Sequence, residues 1–564
     1  MNKLLLWIIG AFSIIIILYI SYNIFFNSNK GTTFEGYDSK MIEQCKSMPN
    51  MNWCKEYTKS IIWWANDSKY YNPIELNQDD VKNSNKVSVI ELKDWDVYEM
   101  VVTKVIKEIW NSKVVMFAYN GSVPWPIIKV KKGSEITIKF TNKVKEIDTT
   151  LHSHWIRIEN KYDGVPKSMN WNQKAIKYWD TFVYKVKFKD EWIYWYHPHV
   201  REDLQMELWL YWNYLVNPET DEYWSKVNTE ETIILDDILI ENDKIAPIAN
   251  SFSNYLFSWR YWNTMLINWD ANYSLNVKKW ETVRLYFTNS SNTRVYNVNI
   301  PWVKMKLVWS DMSKYENETY VNNFIISPAE RYVVELYFEK PWNYKIQNVT
   351  PSKTYVLWNI NVSNAIDLKN YKKEFDTLRK NKDIISDIDN YREYFDKPVD
   401  KNLILAISQK WIKWWMYSMW DMLEWNKDFV MDWIEYEDAN IKLNKMSNSK
   451  NLVWKIIDKD TLNENMDINW NFKVWDKVKV KIFNDSNTLY HIQHPIHFHW
   501  QRFLVINRNW VRQTNLVWKD TVLVKEWESV DILIDVTNPG DWMAHCHIAE
   551  HLTWWMMMNF NVKK

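Results

Sequence analysis

The sequence predicts an all-β protein that contains three related β-sandwich domains. From about Val87 onward, short runs alternate apolar and polar residues between turn residues, as in residues 134–140. Alternation with a period of two is typical of strands that bury one face. One such run occurs in three similar copies, at residues 131–142, 278–289 and 473–484. A repeat of this kind indicates three copies of one sandwich domain.

The length of the chain agrees with this division. Its 564 residues are enough for three or four domains of about 150 residues each. Residues 369–400 are dense in charge and poor in apolar runs, which is typical of a linker that crosses the surface. The predicted parts are an apolar segment at residues 1–26, a polar stalk at 27–85, domains at 86–225, 226–368 and 401–564, and the charged linker at 369–400.

The N-terminal segment predicts a membrane anchor. Leu4 to Ile24 is almost wholly apolar, with Lys3 before it and Lys30 beyond it. About 20 such residues cross a bilayer as a helix. No small-x-small cleavage motif is evident after the segment, which favours an uncleaved anchor over a signal peptide that is removed. In either case we expect the rest of the chain to lie outside the cytoplasm, tethered to the membrane or secreted.

Overall charge excludes one class of partner. Lys plus Arg and Asp plus Glu both total 70, so the formal net charge is zero. A chain without a positive excess has no sequence-wide field to hold a polyanion. We therefore expect no nucleic-acid partner.

The glycine and tryptophan counts are abnormal. The chain has 7 Gly and 39 Trp, whereas average usage gives Gly about 7% of residues. In the repeat, Gly133 of the first copy stands where Trp280 and Trp475 stand in the other two. Glycine suits turns because it adopts positive φ without strain. Our hypothesis is that UGA codons meant as glycine are written here as tryptophan; the alternative is a truly tryptophan-rich protein.

Histidine placement indicates a metal centre. Of the 11 histidines, ten fall into four clusters. The last cluster also holds Cys546, and Met556 follows five residues after its final histidine, His551. The clusters are His152 and His154; His197 and His199; His494, His497 and His499; and His545, His547 and His551. A single His-x-His is more often a satisfied polar pair than a ligand set. Four pairs that hold nearly all the histidines favour metal binding; His491 is left over and is expected to be structural.

Strand geometry divides these ligands into two sets. Residues i and i+2 of a strand share a face, so each His-x-His presents two imidazoles together, and four pairs give eight. Cys546 lies between His545 and His547 and must point to the opposite face, where His494, His551 and Met556 can join it. Two imidazoles, a thiolate and a weak axial thioether form the blue-copper electron-transfer set. The thiolate would then be one residue from ligands of the eight-imidazole site.

These motifs resemble the four copper motifs of multicopper oxidases. The match is complete if Trp155, Trp500, Trp554 and Trp555 are glycines, and it covers roughly residues 95–564. The resemblance implies three cupredoxin-like Greek-key domains, of which the second carries no ligand cluster. It also suggests that Trp195, Trp518 and Trp542 are genuine tryptophans.

The resemblance further implies four copper ions, with dioxygen bound at a trinuclear cluster between the first and third domains. It assigns type 1 copper to His494, Cys546, His551 and Met556, type 2 copper to His152 and His497, and the coupled type 3 pair to His154, His197, His199, His499, His545 and His547.

Two positions, one of them acidic, bear on proton delivery. Asp163 resembles the acid that feeds protons to reduced oxygen in many members, although it could equally be a turn residue beside Gly164. Leu552 stands where some relatives have a second acid, a Glu, so proton delivery from that position is in doubt.

The implied function is an oxidase that takes single electrons from a reducing substrate at type 1 copper and reduces dioxygen to water. Cu(I), Fe(II), Mn(II) and phenols all remain possible substrates. The alternatives are a copper nitrite reductase-like enzyme and a non-catalytic cupredoxin-like copper carrier.

Methionine-rich stretches point to one of these substrates. Met416, Met419 and Met422 recur every three residues, and thioethers select Cu(I), although methionine also fills cores. In the stalk, Cys45 and Cys54 could form a disulfide or, with Met41, Met48 and Met51, bind copper.

Overall fold

A computed structural model describes most of the chain beyond residue 80. The chain forms two compact units, Met1–Tyr70 and Tyr71–Lys564, and every described residue lies in the second. The described residues are 81–85, 89–110, 112–123, 127–154, 156–166, 173–220, 224–241, 244–245, 263–364, 368–409, 430–437, 444, 452–485 and 492–564. The predicted anchor, Cys45, Cys54, His491 and the Met416–Met422 group lie outside them. Within these ranges, no helix has the length and apolarity needed to cross a membrane.

The first pair of sheets contains strands β1 to β9. One sheet has the order β1-β4-β9-β8-β6 and the other β3-β2-β5-β7. Their bounds are β1 Val89–Glu91, β2 Val97–Ile109, β3 Ser112–Tyr119, β4 Ile127–Lys131, β5 Glu135–Asn142, β6 His152–Ser153, β7 Thr181–Lys187, β8 Trp192–His197 and β9 Trp212–Asn217.

The second pair contains β10 to β22. Its sheets have the orders β13-β10-β15-β20-β17-β18 and β14-β22-β21-β16-β19, and β11 pairs with β12. Their bounds are β10 Thr229–Ile238, β11 Ile240–Glu241, β12 Lys244–Ile245, β13 Thr264–Ile267, β14 Ser274–Lys278, β15 Thr282–Asn289, β16 Tyr296–Asn299, β17 Met305–Ser310, β18 Ser313–Val321, β19 Asn323–Ile326, β20 Arg331–Tyr337, β21 Asn343–Val349 and β22 Thr354–Ser363.

The third pair contains β23 to β36. Its sheets have the orders β26-β23-β28-β34-β30-β31, with β32 also paired to β30, and β27-β36-β35-β29-β33; β24 pairs with β25. Their bounds are β23 Lys401–Gln409, β24 Val430–Met431, β25 Ile434–Glu435, β26 Leu452–Asp458, β27 Asn469–Lys473, β28 Lys477–Asn484, β29 His494–Phe498, β30 Arg502–Arg508, β31 Val511–Arg512, β32 Trp518–Lys519, β33 Thr521–Val524, β34 Ser529–Asp535, β35 Gly540–Cys546 and β36 Met557–Lys563.

The sequence repeat forms the same strand in each pair of sheets. Strands β5, β15 and β28 end the three copies, and each lies parallel to an earlier strand, namely β2, β10 and β23. Each is also antiparallel to a later strand, namely β7, β20 and β34. In β5, Ile136, Ile138 and Phe140 are buried while Lys139 between them is exposed. The all-β prediction is therefore confirmed, because the period of two places one face of these strands in a core.

Helices are short and few in the described ranges. The α-helices are α1 Glu202–Gln205, α2 Lys372–Asp376, α3 Lys382–Asp389 and α4 Ala549–Thr553, and the 3-10 helices are Asn160–Tyr162, Arg392–Tyr394 and Asn465–Asp467.

The charged segment 369–400 fastens the second pair of sheets to the third. On the side of the second pair, the Asp383 carboxylate forms a salt bridge with Nζ of Lys314 at 2.9 Å. On the other side, Asp387 pairs with Arg502 at 2.9 Å, and the Tyr391 hydroxyl donates to Asp535 at 2.8 Å. The charges that predicted a surface linker therefore also make specific contacts with both neighbours.

A buried ion pair joins the same two parts. Two guanidinium nitrogens of Arg331, at the start of β20, donate to the two carboxylate oxygens of Asp520 at 2.7 and 2.8 Å. Neither side chain is exposed to solvent. The backbone carbonyl of Asp520 accepts from His497, so this pair also adjoins the histidine clusters.

Backbone conformation bears on the glycine hypothesis. Among the described residues, 14 of the 23 non-glycine residues with positive φ are tryptophans, including Trp280 at 71° and Trp475 at 78°. Gly133, their counterpart in the first copy, has φ of 87°. Side chains with a Cβ rarely adopt this conformation, whereas glycine does so without cost. Trp195 and Trp542, which we expect to be genuine, are buried and absent from this group.

The solvent exposure of the tryptophans also supports the glycine hypothesis. Ten tryptophans in the described ranges are largely exposed, among them Trp302 at 91% and Trp510 at 78%. An indole buries a large apolar surface when it packs, so tryptophans at solvent-facing turns are unexpected. The backbone therefore supports the hypothesis that many of these positions are glycines.

We expect Arg331→Met to lower the melting temperature, because it leaves the Asp520 carboxylate buried without its cation, at a cost of about 3–5 kcal/mol. Calorimetry measures the shift. Arg512→Met is the matched control, since the Asp396 partner of Arg512 is 89% exposed and such a pair contributes less than about 1 kcal/mol. Equal shifts in both variants would contradict the proposed importance of the buried pair.

Peptide mass spectrometry on protein from the native organism tests the glycine hypothesis directly. We expect glycine at positions 155, 280, 475 and 500, and tryptophan at Trp195 and Trp542. The last two serve as internal controls, because their backbone does not require glycine. An indole at position 500 would refute the hypothesis.

Candidate metal centre

The clustered histidines converge although they are far apart in sequence. His152 on β6 is the register partner of His197 on β8, and His497 on β29 is the partner of His545 on β35. All ten are at most 2% exposed. The first and third pairs of sheets therefore contribute to one buried cage.

Potential ligand atoms in and beside this cage form five compact groups. Within each group the potential ligand atoms lie within 4.8 Å of one another. In the cage the groups are His154, His197 and His547; His199, His499 and His545; His152, His154 and His497; and His152, Asp163 and His499, and beside it lies the group of His494, Cys546 and His551.

The two members of three His-x-His pairs join different groups, whereas His152 and His154 also share one. We predicted that a pair would present two imidazoles side by side, and the structure refines this: His197 belongs to one group and His199 to the next. Residues i and i+2 of a strand are about 6–7 Å apart, so two such rings reach one ion only where their side chains converge. Each pair therefore bridges neighbouring groups, and four pairs interlock into one eight-imidazole cage.

Backbone carbonyl groups orient several of these rings. Nδ1 lies 2.7 Å from the Asp163 carbonyl oxygen in His152 and 2.9 Å from the Asp520 carbonyl oxygen in His497. His197 and His545 make equivalent contacts of 2.9 Å to the carbonyl groups of Pro198 and Cys546. A carbonyl oxygen only accepts, so Nδ1 carries the proton and Nε2 presents its lone pair.

The Nε2 atoms point into the cage. Nε2 of His154 lies 3.1 Å from Nε2 of His197 and 3.3 Å from Nε2 of His547, and Nε2 of His545 lies 3.1 Å from Nε2 of His499. Buried lone pairs that face one another repel unless a cation lies between them. The cage therefore fits metal ions.

Burial lowers the pKa of several imidazoles in the cage. Desolvation, followed by the charge of neighbouring imidazoles, lowers the pKa of His154, His197, His497 and His499 well below the usual range. The pKa of His199 falls to about 3 for the same reasons. Protons therefore do not compete with metal for these nitrogens near neutral pH.

Cys546 lies on the opposite side of β35 from this cage, as predicted. Its Sγ is 3.5 Å from Nδ1 of His494 and 3.7 Å from Nδ1 of His551. Burial raises the pKa of the thiol, so it stays protonated until a soft cation displaces the proton. Met556 is fully buried, and its carbonyl oxygen accepts from the Cys546 amide at 3.0 Å.

The residues on either side of Cys546 lead to different groups. His545 belongs with His199 and His499, whereas His547 belongs with His154 and His197. The thiol is thus connected through one peptide unit to each of two groups in the cage. The sequence predicted this closeness of the thiol to the eight-imidazole site.

Asp163 lies at the cage. Its carboxylate oxygens are 3.1 and 3.2 Å from Nδ1 of His499, and it is 2% exposed. The turn interpretation also holds, since Gly164 follows with φ of 82° and an added Cβ would lie 2.4 Å from the Leu151 carbonyl oxygen. The tight turn and the contact with His499 coexist, because the turn aims the carboxylate inward. The indole Nε1 of Trp500 also donates to Asp163.

Sequence reasoning missed two other carboxylates at the cage. Oε1 of Glu202 lies 2.5 Å from Nδ1 of His199, and Oδ2 of Asp520 lies 3.8 Å from Nδ1 of His154. The signal for Glu202 was an acid three residues after a clustered histidine. Asp520 gave no local signal, because it approaches the cage only through the fold.

The packing of Trp195 and Leu552 can be described directly. Trp195 packs against three ligand rings, with centroid distances of 4.5 Å to His197, 4.8 Å to His154 and 5.3 Å to His547. Leu552 lies in an apolar cluster with Val165, Met543 and Met557, which is typical of packing.

Comparisons with known proteins agree with this geometry. Three family profiles, each described as multicopper oxidase, match residues 102–219, 220–371 and 436–564. The chain belongs to the multicopper oxidase family.

Individual relatives of the oxidase are distant. It is 25% identical to multicopper oxidase mco of Staphylococcus aureus over 79% of this chain and 83% of that protein. It is 26% identical to copper resistance protein A of Escherichia coli, over 42% of this chain and 45% of that protein. The chain also resembles the solved structure of a multicopper oxidase from Campylobacter jejuni that is described as a metallo-oxidase. The match covers 88% of this chain and 100% of the Campylobacter protein, with 21% identity and a TM-score of 0.63.

Family membership identifies the chemistry of the cage. The oxidase is a copper-dependent oxidoreductase with dioxygen as electron acceptor, and members hold four copper ions, one of type 1, one of type 2 and two of type 3. The described groups provide suitable nitrogen and sulfur donors for them.

We expect Cys546→Ser to abolish the intense thiolate-to-copper absorption and the oxidase activity, because serine cannot supply the thiolate. The eight imidazoles are untouched, so copper analysis should find the trinuclear copper largely retained. The double variant Cys45→Ser, Cys54→Ser is the control and should keep the absorption band. Full activity in Cys546→Ser would exclude the electron path through this residue.

Proposed function

We propose that the chain is an exported, membrane-tethered oxidase that takes electrons from Cu(I) at a type 1 site and reduces dioxygen to water at a trinuclear site. The observation that carries this proposal is the arrangement of the Cys546 group beside the eight-imidazole cage. Copper bound there supplies one-electron chemistry and the place where dioxygen is reduced. The nitrite reductase-like and copper-carrier alternatives gain no support from the described residues or the comparisons.

The proposed ligands follow the groups described above. His494, Cys546, His551 and Met556 hold type 1 copper, and His152 with His497 hold type 2 copper. The type 3 pair divides into His154, His197 and His547 for one ion, and His199, His499 and His545 for the other. This division is supported by the distances within each group.

The chain itself supplies the path for electrons and a route for protons. Electrons that arrive at Cys546 pass through the backbone to His545 and His547, which belong to the two type 3 groups. Asp163, in contact with His499, is placed to pass protons toward the cage. The Trp454 ring stacks on His551 with 4.2 Å between ring centroids, and its centroid lies 5.0 Å from that of His494. Trp454 therefore shields the type 1 group from solvent.

The domain architecture is part of the proposal. Cupredoxin-like domains occupy residues 86–225, 226–368 and 401–564, behind an anchor at 1–26 and a stalk at 27–85. Three successive pairs of sheets with the same central strand pairing support this division. The second domain contributes no ligand, and it supports the third through Arg331 and the 369–400 segment.

Cu(I) is the proposed physiological reductant for two reasons. Met416, Met419 and Met422 form a soft, closely spaced set in the domain that holds the type 1 ligands, and thioethers select Cu(I). One relative is named a copper resistance protein, and an exported enzyme that converts Cu(I) to Cu(II) would serve such a role. Fe(II), Mn(II) and phenols are the competing substrates.

Replacing the three methionines with leucine tests the choice of substrate. If they deliver copper, the triple variant should lose Cu(I) oxidation while it keeps its rate on a phenolic dye, because a dye can transfer its electron without a soft ligand. If they only fill a core, each swap should cost less than about 1.5 kcal/mol and change neither rate. Equal effects on both substrates, or none on either, would rule out copper delivery by these methionines. Met312→Leu, a buried methionine outside the group, is the control.

A further inference from the structure

Glu202 is a buried acid with no role in the proposed function so far. It begins helix α1, three residues after His199, and is 4% exposed. Its Oε1 lies 2.5 Å from Nδ1 of His199, which is itself fully buried. A carboxylate in this position is costly unless it is paired, so the contact requires an explanation.

His199 differs from its neighbours in what faces its Nδ1. In His152, His197, His497 and His545 a backbone carbonyl group accepts from Nδ1. No such carbonyl bonds Nδ1 of His199 in the described part of the chain, where its backbone amide instead donates to Thr150 at 2.9 Å. Oε1 of Glu202 faces this Nδ1 at 2.5 Å as an ion-pair contact, and neither atom makes a hydrogen bond of regular geometry in the described structure.

Helix α1 is held in place on both sides. On the side of the first pair of sheets, Gln205 donates to the Asp148 carbonyl group at 3.0 Å. The side chain of Asn292, from the second pair of sheets, donates to the Asp203 carbonyl group at 3.0 Å. Glu202 is thus fixed toward His199 by contacts with two parts of the fold.

The two type 3 groups differ in their carboxylates. In the group of His199, His499 and His545, two rings contact a carboxylate, since Asp163 lies against His499. In the other group, Asp520 is 3.8 Å from His154 and its charge is already paired with Arg331. A carboxylate that accepts from the outer nitrogen of a ligating histidine fixes the ring and strengthens it as a ligand.

We propose that Glu202 is a positioning residue that holds His199 with Nδ1 protonated and Nε2 directed at a copper ion. Together with Asp163 it makes the His199–His499–His545 site the tighter-binding of the two type 3 sites. The proposal rests on the ligand division given above. It concerns retention of copper and ring orientation, not the electron path.

Three variants test this role. Glu202→Ala removes the acceptor, Glu202→Gln keeps an acceptor oxygen without the charge, and Asp203→Asn is a matched control in the same helix that touches no ligand in the described structure. Each protein is loaded with copper, dialysed against a chelator and analysed for copper per chain. Electron paramagnetic resonance then counts the magnetically uncoupled copper, and a melting curve reports folding.

We expect Glu202→Ala to lose one of the four copper ions, through an affinity about 10- to 100-fold weaker at that site. Loss of one ion of a coupled pair leaves its partner uncoupled, so the paramagnetic signal should rise while total copper falls. A purely structural role of Glu202 would not raise the paramagnetic signal while total copper falls. Glu202→Gln should lie between wild type and Glu202→Ala, and Asp203→Asn should keep the wild-type copper content and spectrum.

One result would overturn the role of Glu202, and a different result would overturn the proposed function. If Glu202→Ala keeps four copper ions and the wild-type spectrum after dialysis, Glu202 is not a positioning residue. If the wild-type protein itself does not load a type 1 ion and a coupled pair, the proposed function fails instead.

Discussion

Convergence of eight imidazoles in one buried cage is the constraint on which the rest of the structure depends. Some of their inner nitrogens approach one another to 3.1–3.3 Å. Buried donors of this kind bind cations, and metal binding of this kind is linked to folding. The surrounding structure serves to hold rings from two distant parts of the chain in register.

That register is enforced by groups outside the rings. Carbonyl groups fix four of the rings, and the carboxylates of Asp163 and Glu202 lie against two more. Asp520 orients His497 through its carbonyl group, while its carboxylate pairs with Arg331 of the second pair of sheets. The second pair of sheets, which holds none of the proposed ligands, therefore contributes to the centre, because its Arg331 pairs with a buried carboxylate beside the cage.

The tryptophans change how the surroundings of the centre are interpreted. Trp500 has φ of 57° and donates to Asp163, in the motif where the family resemblance implies glycine. With glycine at this position, Asp163 would lose that donor and the adjoining volume would be open. Trp195, by contrast, has ordinary backbone geometry and packs on three ligand rings, as a genuine residue would.

The sequence by itself determined the residue types of the centre and the strand that recurs in each pair of sheets. Both are local properties: His-x-His and His-Cys-His encode which face of a strand a side chain occupies, and the period of two encodes a buried face. Only the tertiary structure decided which ring joins which group, since His199 and His499 are 300 residues apart and come from different pairs of sheets. It also decided that Glu202, Asp520 and Arg331 belong to the centre, because burial and charge pairing between distant segments leave no periodic signal in the sequence.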